Sequence, residues 1–153
     1  MGTRLVSLTA LLLLALPIGA TTQTPEPEAQ RASAEARWKA NRPAAYEFTL
    51  KAICFCPPDS QGDPVFRVSK GNSSLIRGRV RFGPLEGRNR DQYDTIDGLF
   101  SWIREILKSR PSSVEIEYDP MFGFPRRVFV DPEELIADEE YGFTVEMFTP
   151  LPQ

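Results

Sequence analysis

Cys54 and Cys56 are the only thiols in the chain, and no histidine accompanies them. That combination narrows the available chemistry at once. Without histidine there is no Ser-His-Asp or Cys-His nucleophile pair, no imidazole general base and no His-ligated zinc site. An enzyme built on this chain would have to run on carboxylates, thiols, Lys, Arg or Tyr. The thiols themselves admit several states. Along an extended strand, residues two apart lie roughly 6.6 Å apart between Cα atoms, near the upper limit for a disulfide. Closing a bridge therefore needs a bulge or a strand end, and Pro57 just downstream favours one. A static local disulfide is the default in an oxidising compartment. It would close almost no chain, gain little loop entropy, and tend to be reducible. The other states are a redox-active pair, a two-thiolate site suited to Cu(I), free thiols, and a bridge to another chain.

Three further groups carry charge or aromatic surface. Arg77, Arg79 and Arg81 alternate along one strand face. They make either a basic stripe for an anionic surface or, as the default, a solvated row guarding a sheet edge. Asp131, Glu133, Glu134, Asp138, Glu139 and Glu140 form an acidic run. It lacks the ligand order of a calcium loop and reads as a solvated segment, so no metal site is assigned. Asp119, ahead of an aromatic turn with Phe122 and Phe124, is a candidate for pairing with Arg126 or Arg127. Fixing its own turn through backbone hydrogen bonds is the simpler role. The two phenylalanines are candidates for a recognition edge, with core packing as the default. No cofactor is expected.

Something must deliver and position these groups. Residues 1–20 read as a signal peptide: Arg4, then the apolar run Leu5–Leu16, then Pro17, Ile18, Gly19 and Ala20. The apolar run is shorter than the roughly 20 residues a spanning helix needs. No cysteine lies near the expected cleavage after Ala20, so no lipid anchor and no stable membrane insertion are expected. Cleavage leaves 133 of the 153 residues and, without Arg4, 17 of the 18 basic and all 21 acidic side chains, a net charge of −4. A general nucleic-acid binder would show the opposite balance. With 41% hydrophobic residues over the full chain, the remainder can form one packed core.

Thr21–Gln30 is polar and Pro-containing, and reads as a flexible leader before a single domain over 31–150. Arg31–Asn41 is Ala-rich and reads as a short helix ending near Pro43, with Trp38 facing the core. Tyr46–Cys56 alternates apolar and polar side chains as a half-buried strand does. Val65–Lys70 and Leu75–Phe82 are further strands about a Gly71-Asn72 turn. Thr95–Lys108 is the clearest helix. Asp94 or Thr95 can cap it, and Ile96, Leu99, Phe100, Ile103, Ile106 and Leu107 fall on one stripe. Three more strands follow at Val114–Asp119, Arg126–Asp131 and Phe143–Phe148. The order α-βββ-α-βββ predicts an α+β domain: a mostly antiparallel sheet of about six strands, with the long second helix packed on it and a shorter N-terminal helix.

Several of these pieces recur together. Trp38 and Tyr46 lead into Cys54-Phe55-Cys56, then Thr95-Ile96-Asp97-Gly98-Leu99-Phe100, Tyr118-Asp119-Pro120 with Gly123-Phe124-Pro125, and Asp131 followed by Asp138. In this order the chain resembles a family of small exported bacterial proteins carrying the domain of unknown function numbered 6174. The resemblance implies export and a shared fold, and supplies no reaction, ligand or partner. The function expected is therefore a non-enzymatic binding or structural domain of the cell envelope or extracellular space, acting on an envelope protein or an anionic surface. A thiol–disulfide or thiolate metal-binding role for Cys54 and Cys56 is the alternative.

Overall fold

A computed structural model describes residues 26–56, 62–79 and 92–152. The expected signal peptide, Arg81 and most of the segment after the third strand lie outside the described residues. The elements run α1 (Pro27–Asn41), β1 (Ala45–Cys54), β2 (Val65–Ser69), β3 (Asn72–Arg77), α2 (Ile96–Ser109), β4 (Ser113–Tyr118), β5 (Pro125–Asp131) and β6 (Tyr141–Pro150). Among the described residues, two helices and a six-stranded antiparallel sheet make an α+β domain, with strand order β3-β2-β1-β6-β5-β4.

The helices depart from expectation at the N-terminus. Far from being the shorter, α1 has 15 residues against 14 in α2, and it begins at Pro27, so residues 27–30 of the expected leader are helical. Proline at the first helical position forfeits no hydrogen bond, because that N–H has no partner in any helix. Glu28 then pairs with Arg31, and Arg31 and Lys39 pair with Glu35, so the guanidinium of Arg31 is neutralised where it turns inward with Ala34 and Trp38. Burial works against the charge on Glu35, yet the hydrogen bonds from Lys39 and Arg31 outweigh it and hold its carboxyl below the usual carboxylate range.

α2 matches its pattern. The Thr95 hydroxyl accepts from the amide of Gly98 at 2.9 Å, and the Tyr46 hydroxyl of β1 accepts from the amide of Ile96 at 3.2 Å. Asp94 is instead drawn inward, where the Ser73 hydroxyl of β3 donates to it. Trp102, absent from the expected stripe, is fully buried and stacks on Phe143 of β6 at 4.9 Å. Trp38 of α1 meets Tyr46 and Phe148, so both helices cover the sheet face that carries Tyr46, Phe48, Leu50 and Phe143.

Two strands also differ. β2 and β3 are joined through Lys70 and Gly71, both at positive φ (51° and 80°), the conformation a two-residue hairpin requires. The turn is one residue earlier than expected, and Asn72 enters the strand. β3 ends at Arg77, short of the expected Phe82, because Gly78 takes φ 82° and packs where a Cβ would sit 2.6 Å from the Asp63 carbonyl. In β6, Met147 and Phe148 both fall between the pairs Glu47↔Thr149 and Thr49↔Glu146. This bulge, with Met147 at φ 53°, sends Met147 outward and Phe148 into the core.

Candidate functional site

β1 is a central strand, and its last residue carries the first half of the cysteine pair. Cys54 lies opposite Tyr141, Tyr141 opposite Val130, and Ser113 opposite Asp131. One end of the sheet thus gathers the end of β1, the loop between β5 and β6, and the connection from α2 to β4. Cys54 and Cys56 are joined in a disulfide with Cα atoms 5.2 Å apart, and no cysteine is free. The chain contracts from the extended spacing of roughly 6.6 Å by bending at Phe55, where the strand has ended. Both cysteines are half-buried, whereas Phe55 at the apex is 80% exposed.

The acidic loop at this end of the sheet is held through its first half. Its stem is pinned to the α2–β4 connection: the Ser112 amide donates to the Pro132 carbonyl at 3.0 Å, and the Glu134 amide donates to the Ser112 hydroxyl at 3.1 Å. A tight turn follows, with the Ile136 amide donating to the Glu133 carbonyl at 3.0 Å. The turn leaves Leu135 96% and Ile136 47% exposed. Among the described residues no group of three or more acidic or cysteine side chains is arranged to hold a metal ion.

The remaining candidates lie elsewhere. Arg77 closes β3, which is an edge strand, and sits opposite Val65. Arg79 follows the Gly78 kink, its carbonyl close against Gly62. Arg77 thus lies two strands away from β1, toward the same end of the sheet as Cys54. Asp119, Phe122 and Phe124 sit in the β4–β5 turn at the opposite end of the sheet. The Asp119 carboxylate accepts from the amides of Met121 (2.9 Å) and Phe122 (2.7 Å), and its own amide donates to the Phe124 carbonyl at 2.8 Å. Phe124 is buried and stacks on Phe148 at 4.4 Å, with Phe122 against the same ring at 5.3 Å. Between them Gly123, at φ 87°, presses on α1 so closely that a Cβ would meet the Ala34 carbonyl oxygen at 2.4 Å. This turn is a clamp that seats α1 and Trp38 on the sheet.

Two surface concavities were missed in the sequence. One of about 420 Å³ lies beside Arg42, Tyr46, Lys70 and Asp97, and one of about 470 Å³ beside Glu28, Arg104, Lys108 and Arg110. Some of their charges are paired, Arg42 with Asp97 at 3.0 Å and Arg104 with Glu35 of α1 at 3.3 Å. Phe55, Leu135 and Ile136 were also missed as surface features. The available signals were an aromatic on the outward register of β1, and an apolar pair inside an acidic run.

Among the described residues no helix is long and apolar enough to cross a membrane. The model of a family of unknown function, DUF6174, matches residues 30–150. No curated protein and no solved structure matches the chain.

Proposed function

We propose, for a chain that belongs to the DUF6174 family, that it is an exported, non-enzymatic binding domain whose contact element is the disulfide-closed tip Cys54-Phe55-Cys56. The observation that carries this reading is the placement of Phe55, 80% exposed on a covalent ring at the end of a central strand. Burying a Phe side chain is worth about 1.5–3 kcal/mol, and the fold forgoes most of that here. The ring contributes little to stability in return, since in the loop-entropy treatment three closed residues are worth only about 1.6 kcal/mol. What a tight ring does supply is a fixed side-chain direction, which lowers the ordering cost of binding. Exposed aromatics that are rigidly presented are the residues binding sites use as anchors.

Export is part of the proposal. It draws on the signal-peptide pattern of residues 1–20 and on a bridged cysteine pair, which suits an oxidising compartment. The folded unit is taken as one domain over 31–150, with the helical residues 27–30 continuous with it. Thiol–disulfide exchange is the second reading, favoured by a bridge that reaches the surface. Against it stands the acidic loop at the same end of the sheet. Reactive cysteines depend on positive surroundings that stabilise the thiolate, and neighbouring carboxylates do the reverse.

A photoreactive phenylalanine analogue at position 55, in the protein exported by its host, tests the reading. Illumination should give a discrete adduct that is missing when the analogue replaces Phe129 on the uncovered sheet face. No adduct at 55, or a bridge that exchanges with added thiols under mild conditions and turns over, would sink it in favour of the redox reading.

A further inference from the structure

We infer that the partner of this surface is a cationic protein segment bearing apolar side chains, docking on Phe55, Leu135 and Ile136. The inference rests on the binding reading above and adds the chemistry of the partner.

The register brings the two apolar elements to the same end of the sheet. Cys54 pairs with Tyr141, the first residue of β6, so Phe55 projects past the row where the acidic loop rejoins the sheet at Glu140. Leu135 and Ile136 lie at the turn of that loop, 96% and 47% exposed. Three large apolar side chains are therefore shown to solvent at one end of the molecule. Neither element is slack: one is a covalent ring, and the other is tied to Ser112 from both sides of Pro132–Glu134. Apolar surface concentrated and rimmed by polar groups marks a site of association.

The rim decides what can approach. Residues 131–140 carry six carboxylates and no Lys or Arg, in a chain whose net charge is only −3, and Glu133, Glu134 and Asp138 among them are exposed. A field of one sign over an apolar patch steers oppositely charged partners in and turns like-charged ones away. Anionic lipid surfaces and acidic polymers are repelled. A membrane would also require the apolar side chains to enter past their own carboxylates. A segment that alternates Lys or Arg with Leu- or Phe-like residues satisfies both components together, with its apolar side chains on Phe55 and Leu135 and its cations on the rim.

The test uses the purified protein, a short fluorescent peptide of alternating Lys and Leu, the same peptide with Glu for Lys, and vesicles of anionic lipid. Fluorescence anisotropy should show binding of the Lys peptide alone. F55A/L135A, which changes no charge, should weaken it about tenfold, and E133Q/E134Q, which changes no apolar group, should do likewise, with added salt weakening the wild type. Thermal melts of both variants guard against misfolding. Failure of the Lys peptide to bind, equal binding by F55A/L135A, or binding of the Glu peptide or the vesicles would each overturn the inference. The two readings fail separately. An adduct at position 55 with an acidic or uncharged partner removes the cationic assignment and leaves the binding domain standing, whereas no adduct removes the binding domain itself.

Discussion

If the bridge serves presentation and not stability, replacing both cysteines should cost little. In the loop-entropy model the stabilisation grows with the logarithm of the closed length. Cys54 to Cys56 closes three residues, which gives about 1.6 kcal/mol at room temperature, against about 3 kcal/mol for a fifteen-residue loop. The substitution C54S/C56S removes nothing else of consequence, because position 54 keeps its ladder partner Tyr141 and neither cysteine belongs to the buried core. For a domain of this size a loss near 1.6 kcal/mol corresponds to a fall in Tm of roughly 5–10 °C. Urea unfolding of the double variant, and of the wild type with its bridge reduced, should give the same modest loss with an unchanged slope. F55A in the bridged protein should be neutral to within about 0.5 kcal/mol, as an exposed side chain is. A loss above about 3 kcal/mol for the double variant, or a chain that no longer folds, would make the bridge a structural staple and remove the argument for a presented tip.

The clamp and the helix network yield two more tests. Gly123→Ala sets a side chain at φ 87° and drives its Cβ to 2.4 Å from the Ala34 carbonyl; left-handed backbone alone costs about 1–2 kcal/mol, and α1 must also lift its Trp38 away from the sheet, so the total loss should exceed about 3 kcal/mol by urea unfolding. Tolerance within about 1 kcal/mol would refute the clamp. Glu35 is held below its usual range in the fold, so its contribution is present above the unfolded carboxyl value near pH 4.3 and is lost as the pH falls through the lower folded one. Glu35→Gln should therefore lower stability at neutral pH and flatten the acid limb of the pH–stability curve. An unchanged acid limb would refute the assignment.

Where pattern and burial coincide, the sequence was sufficient. α2 was legible because its apolar residues repeat at helical spacing against a single sheet face, and β1 because strict alternation marks a half-buried strand. The errors fall where a local rule yields to a contact distant in sequence. Residues 27–30 read as leader by composition, yet proline is tolerated at the first helical position and Glu28 pairs with Arg31 in the turn behind it. Phe82 extends an apolar alternation that Gly78 cuts short by packing against Asp63. Met147 would be a core residue by alternation from Phe143 and Val145, and only the bulge opposite Phe48 exchanges it for Phe148.

The same reasoning separates the two halves of the candidate site. The cysteine pair could be read directly, since the extended spacing of residues two apart demands a bend before a bridge can close, and the bend falls at the strand end that Pro57 makes plausible. Phe55 could not be read that way. In β1 its neighbours on the same register, Glu47, Thr49, Lys51 and Ile53, are mostly polar, so an aromatic there is either a miscount of the strand or a residue kept outside on purpose. Leu135 and Ile136 pose the same ambiguity inside an acidic run. Only the β1–β6 register, which sets Cys54 against Tyr141, brings these two anomalies to one end of the sheet. Each alone is an ordinary exposed side chain. At one end of the sheet, on a covalent ring and on a pinned turn flanked by the exposed carboxylates of Glu133, Glu134 and Asp138, they offer apolar exposure that the fold does not need for its own stability, and which a cationic partner can cover.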